Sequence, residues 1–177
     1  MPKRRASSRR QPRRAKALPA RPSQTPFERE LTTKRRGEIS ELAFALAAAR
    51  HGFAVSKPFQ SQAYDVIVDP LVPAVDGSRP RLVRVQVKSS TTMRDGLYNV
   101  VLLHNANGRW AAYTPSDVDL IVVHVIPEDS WFIFPLAHIE GKTGIMVAPK
   151  NHRYQHGYDS YREAWHYFTD PDGIKIV

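Results

Sequence analysis

The chain is expected to fold as an α/β protein, a central mixed β-sheet flanked by helices. Three observations predict this. An Ala- and Leu-rich stretch over residues 38–51 has helical character and stops at Gly52. Short β-branched runs follow at Phe53–Lys57, Tyr64–Asp69 and Leu82–Lys88. Further apolar stretches at Leu97–Leu103, Asp119–Ile126 and Trp131–Phe134 extend the strand count.

Each element has a local cause. Thr25-Pro26-Phe27-Glu28 reads as a helix start, with Thr as cap, Pro at the first helical position and Glu three residues after the cap. After Lys34-Arg35-Arg36-Gly37 a second helix begins, with Glu38 and Glu41 near its start, where the dipole favours acids. A Pro- and Gly-containing loop spans Pro70–Pro80, and Pro127-Glu128-Asp129-Ser130 forms a turn. Residues 158–168 are expected to form a closing helix, with Tyr161, Trp165 and Phe168 on its packing face.

Charge divides the chain. Residues 1–26 hold nine of the 26 basic residues and no acid, which leaves 17 basic against 17 acidic residues in 27–177. The net charge of +9 therefore belongs to the first 26 residues. This segment, rich also in Ser and Pro, is expected to be a disordered tail preceding one domain at 27–177. A polyanion is its natural partner, and a solubilising extension is the competing reading. Cysteine is absent, so disulfides, thiolate metal sites and cysteine nucleophiles are excluded. No apolar run approaches the roughly 20 residues of a membrane helix, and a soluble, cytoplasmic protein is expected.

The chemistry concentrates on Val83-Arg84-Val85-Gln86-Val87-Lys88. Side chains alternate along a strand, so the valines share one face and Arg84, Gln86 and Lys88 the other, with Gln86 and Lys88 about 7 Å apart. Antiparallel pairing with the preceding strand brings the Asp65 carboxylate beside the Gln86 amide. Glu41 can reach the same pocket from a helix whose small residues, including Ala45 and Ala48, allow close approach to a sheet. Carboxylates and an amide oxygen suit a hard divalent ion, with an ammonium at the edge.

These residues carry a resemblance. Gly37-Glu38-Ile39-Ser40-Glu41, His51-Gly52-Phe53, Tyr64-Asp65-Val66-Ile67 and Val85-Gln86-Val87-Lys88-Ser89 together resemble the PD-(D/E)XK nuclease superfamily. The likeness is nearest to archaeal Holliday-junction resolvases and to the Gln-x-Lys branch that includes a group I intron-encoded homing endonuclease. In those families the helix acid lies four residues after one Gly and eleven before another, and Glu41 keeps both spacings. The resemblance implies a restriction-endonuclease-like core and Mg²⁺- or Mn²⁺-dependent hydrolysis of DNA. It implies Asp65, Gln86 and Glu41 as metal-binding residues and Lys88 as the lysine assisting the nucleophilic water. Gln86 stands where Glu or Asp is commoner, which removes a charge and leaves open a DNA-binding module without catalysis. A small interaction protein and a homo-oligomeric state also remain open.

Other motifs point elsewhere less strongly. Gly141-Lys142-Thr143 lacks the earlier glycine of a phosphate-binding loop, which would fall at Leu136. His152 and His156 have helical ligand spacing in a polar loop and read as exposed residues. Arg153, Tyr154 and Tyr158 mix polar and aromatic groups in a manner suited to nucleic acid. Trp131, Phe132 and Phe134 read as core. His51 reads as a dipole partner at a helix C-terminus, and Asp117 and Asp119 as a turn and strand start.

Overall fold

The computed structural model describes residues 32–71, 81–106, 108–149 and 157–169. The tail at 1–26, the helix start at Thr25, most of the 70–80 loop, and His152, Arg153, Tyr154 and His156 lie outside the described residues.

Helix α1, Thr33–Arg50, begins earlier than the sequence suggested. Thr32 caps it, its hydroxyl accepting from Arg35 N at 3.3 Å, so the basic run is helical and Glu38 and Glu41 lie mid-helix rather than in the first turn. His51 closes it and Gly52 follows at φ 84°, a left-handed conformation that glycine adopts without a Cβ penalty.

Strands β1 (Ala54–Ser56), β2 (Val66–Asp69) and β3 (Val83–Ser90) follow. With β8 (Leu120–Val125) and β9 (Ser130–Pro135) they make a five-stranded sheet in the order β1-β2-β3-β8-β9. The β3–β8 pair is parallel and the others antiparallel, so the central sheet is mixed as expected. This α/β, restriction-endonuclease-like sheet is covered on one face by α1. Phe44 and Ala48 pack there with Val66, Val85, Val87, Trp131 and Trp165. Phe44 has no solvent exposure and meets the rings of Trp131, Trp165 and Phe168 at 5.9–6.0 Å, burial that contributes about 1.5–3 kcal/mol for one side chain. The opposite face packs Val100, Ile121, Val123, Phe132, Phe134 and Ile145.

The stretch expected to be one strand at 97–103 is broken. Leu102 turns its N–H to Thr143 O at 2.9 Å and separates β5 (Leu97–Val101) from β6 (Leu103–Ala106). Strand β5 lies between β4 (Met93–Arg94) and β10 (Gly144–Val147), whereas β6 forms a two-stranded ribbon with β7 (Arg109–Ala112). Short helix α2, Leu136–Ile139, connects β9 towards β10, so Gly141-Lys142-Thr143 follows one helix and precedes a strand, unlike a phosphate-binding loop.

The expected closing helix at 158–168 is not one. It consists of two tight 3₁₀ turns, Asp159–Tyr161 and Trp165–Phe168. Glu163 lies between them at φ 50°, off the helical path, because its backbone N–H bonds Trp131 O and its carboxylate accepts from Trp131 N and Trp165 Nε1. Anchoring to β9 overrides helix propensity. Trp165 and Phe168 still enter the core, as the aromatic spacing implied.

Candidate active site

The site is built where β2 begins beside β3. Val66 pairs with Val85, so Asp65 falls just ahead of β2 on the Gln86 side, and its N–H bonds Val85 O at 3.0 Å. One carboxylate oxygen, Oδ2, accepts from Val87 N at 2.8 Å and from Gln86 Nε2. The same Gln86 nitrogen also donates to the Val87 carbonyl at 3.2 Å. One amide nitrogen thus faces a carboxylate oxygen and a main-chain oxygen, both of which are hard donors.

Burial dominates the electrostatics of Asp65. Loss of water pushes its carboxyl up to about 6, the bond from Val87 N opposes this, and the negative charge of Glu41 adds to it. Glu41 reaches towards Asp65 from α1, where an ion pair with Lys57 holds it. Lys57 and Lys88 both act on Asp65 in the opposite sense, lowering its pKa.

Lys88 emerges on the same face of β3 as Gln86. Its ammonium donates to Leu103 O at 3.1 Å and lies 4.9 Å from the centre of the Tyr113 ring. Burial lowers its pKa, and the Asp65 charge opposes that shift. Lys88 makes no ion pair with Asp65 and acts on it through its charge alone. His104 stacks on Tyr113 at 4.5 Å and extends the aromatic wall around the lysine.

The structure thus puts Gln86 in hydrogen-bond contact with Asp65, and Glu41 and Lys88 near enough for their charges to act on that carboxylate. Among the described residues no group of three or more His, Asp or Glu side chains gathers as a metal centre, and at this site only two carboxylates, Glu41 and Asp65, act on each other. Asp119 and Asp117 are engaged separately. Asp119, 2 % exposed, accepts from Arg81 and from Arg84 through Nε at 3.1 Å and Nη2 at 3.0 Å. Asp117 closes the Thr114 turn.

A family model described as PD-(D/E)XK endonuclease matches residues 31–168. The chain belongs to this family. A solved structure agrees: the bacterial homing endonuclease I-Ssp6803I matches with 30 % identity and a TM-score of 0.57, over 76 % of this chain and 89 % of that one. A comparison with curated proteins found no match. For a PD-(D/E)XK chain, the neighbours that sequence reasoning missed are Lys57, Tyr113 and His104. Lys57 has a signal only in strand register. Ser56 pairs with Ile67, so the next residue falls beside the start of β2 and hence Asp65. Tyr113, just past the end of β7, lies under the Lys88 ammonium with His104 stacked on its ring, an arrangement no spacing announces. Arg84, two residues ahead of Gln86 on β3, commits its guanidinium to Asp119 and to the Pro115 and Ser116 carbonyls.

Proposed function

We propose that this chain is a Mg²⁺- or Mn²⁺-dependent endonuclease that hydrolyses DNA phosphodiester bonds at the Asp65 cluster. The observation that carries the reading is the convergence of the Asp65 carboxylate and the Val87 carbonyl on one polar atom, with Glu41 and Lys88 at its margin. The donor set suits a small hard cation once the Gln86 amide is turned over, so that its oxygen takes the place Nε2 now holds beside the Asp65 carboxylate and the Val87 carbonyl, with Glu41 as the second carboxylate. Asp65, Glu41 and Gln86 would hold the ion. When bound, the ion supplies Lewis-acid polarisation of the scissile phosphate and acidification of a water.

The chain's own groups do the rest. Asp65, raised to about 6, is ionised above that pH and available as a ligand. Gln86 contributes an oxygen without charge, so the cluster carries less negative charge than a three-carboxylate site. Lys88 has lost water and holds its proton less tightly than an ordinary lysine, which suits orienting a water and releasing or accepting a proton at Nζ. Its ammonium also offsets charge developing on the phosphate. Tyr113 and Leu103 O keep that ammonium aimed.

The family and the basic segment at 1–26 support DNA as the substrate, and the similarity to a homing endonuclease favours duplex DNA. Supercoiled plasmid incubated with Mg²⁺ should be nicked or linearised by the wild type, and not in EDTA. Asp65→Asn and Lys88→Ala should each lose cleavage by at least about a hundredfold. Equal residual nicking by these variants would mean a contaminant and would defeat the proposal.

A further inference from the structure

Strands β6 and β7 pair with each other in a ribbon of their own, apart from both larger sheets. The ribbon is rooted on the Asp65 cluster: Lys88 Nζ donates to Leu103 O at its base, and His104 stacks on the Tyr113 ring that Lys88 overlies. Towards the tip its character changes. The register pairs Asn105 with Trp110 on one face and Ala106 with Arg109 on the other. Trp110 is 72 % exposed, and Arg109 and Asn105 are also exposed. A ribbon lying on a protein core buries one face, whereas this tip presents both to solvent. Asn105 Oδ1 accepts from Gly108 N at 2.7 Å and Gly108 takes φ 83°, which fixes the turn. Residues 103–112 contain no acid.

We propose that the β6–β7 ribbon enters the major groove of duplex DNA next to the cleaved phosphate, with Arg109 and Trp110 as its contact residues. This rests on the nuclease reading. The major groove, about 12 Å wide, admits a two-stranded ribbon, and an element inserted there meets a wall on each side. Arg109 supplies the charge complementary to phosphate or a guanine edge. Trp110 supplies apolar surface for thymine methyls and sugars, and its exposure is explained by a partner that covers it. Because the root of the ribbon touches Lys88, groove occupancy and position over the site are coupled through one short element.

Tryptophan fluorescence tests this directly. Of the three tryptophans, Trp131 and Trp165 are 6 % and 8 % exposed, so acrylamide quenching reports Trp110. The full-length protein is titrated in EDTA with a 30-base-pair duplex, with binding followed by anisotropy of a fluorescein on the DNA. Saturating duplex should lower the quenching constant at least about twofold, and Trp110→Ala and Arg109→Ala should each weaken duplex binding by about tenfold with unchanged thermal melting. A protein that cleaves plasmid while Trp110 stays fully quenchable, or whose two variants bind normally, overturns the ribbon proposal alone. A protein that shields Trp110 but cleaves nothing removes the nuclease reading and keeps the ribbon as a DNA contact. Shielding that rises with protein concentration without DNA would make the tip a self-association surface and overturn the proposal.

Discussion

Replacing Asp65 by Asn should stabilise the protein while abolishing cleavage. The folded protein raises this carboxyl from 3.8 to about 6 because burial disfavours its charge. A raised folded-state pKa means that the unfolded chain releases the proton first as pH rises. There is no penalty below about pH 3.8, stability is lost progressively up to about 6, and the full penalty persists above that. A rise of about two units corresponds to about 3 kcal/mol at neutral pH. The amide keeps the local bonds: Val87 N and Gln86 Nε2 both donate to the same oxygen, Oδ2, which an amide oxygen can replace. Urea denaturation in EDTA should therefore show Asp65→Asn equal to wild type at pH 3.5 and more stable by up to about 3 kcal/mol at pH 8, with a melting temperature several degrees higher. Added Mg²⁺ should stabilise the wild type and not the variant. If the variant is less stable at pH 8, or the gap is the same at both pH values, the assignment of Asp65 as a desolvated, charge-strained carboxylate is wrong.

Lys57→Gln removes a cation that lowers the Asp65 pKa, so that pKa should rise further; the acid limb of the cleavage profile should move to higher pH, checked by initial rates from pH 5 to 9. Asp119→Ala leaves Arg84 without its two-pronged partner and should cost about 3 kcal/mol, read from the urea midpoint. Deleting residues 1–26, with their nine cations, should weaken duplex binding at low salt and flatten the plot of log affinity against log salt by up to about 8 in slope. Superimposable slopes would remove this segment as the DNA anchor.

The site was legible where it depends on short-range periodicity. Alternation placed Gln86 and Lys88 on one face, and an antiparallel β2–β3 pair set Asp65 opposite them, so a few residues of strand pattern carried most of the geometry. Glu41 needed the helix spacing of the family resemblance. What the sequence concealed was set by distant contacts. The break at Leu102 depends on Thr143, and the loss of the closing helix depends on Glu163 binding β9. His124 stacks on Trp131 at 4.1 Å and lies 3.1 Å from Ser40 Oγ, a buried arrangement joining residues 84 positions apart. Such pairs leave no periodic trace in the chain. The role of Lys57 was hidden for a related reason, because strand identity alone does not give the β1–β2 register.

In the proposed mechanism the oxygens around Asp65 form a divalent-ion centre. Crystals soaked in Mn²⁺ and measured at the manganese absorption edge test it most directly. An anomalous peak is expected in contact with the Asp65 carboxylate and the Val87 carbonyl, lost in Asp65→Asn. No peak there at saturating Mn²⁺, or the Lys88 ammonium ion-paired to Asp65 in its place, would contradict it.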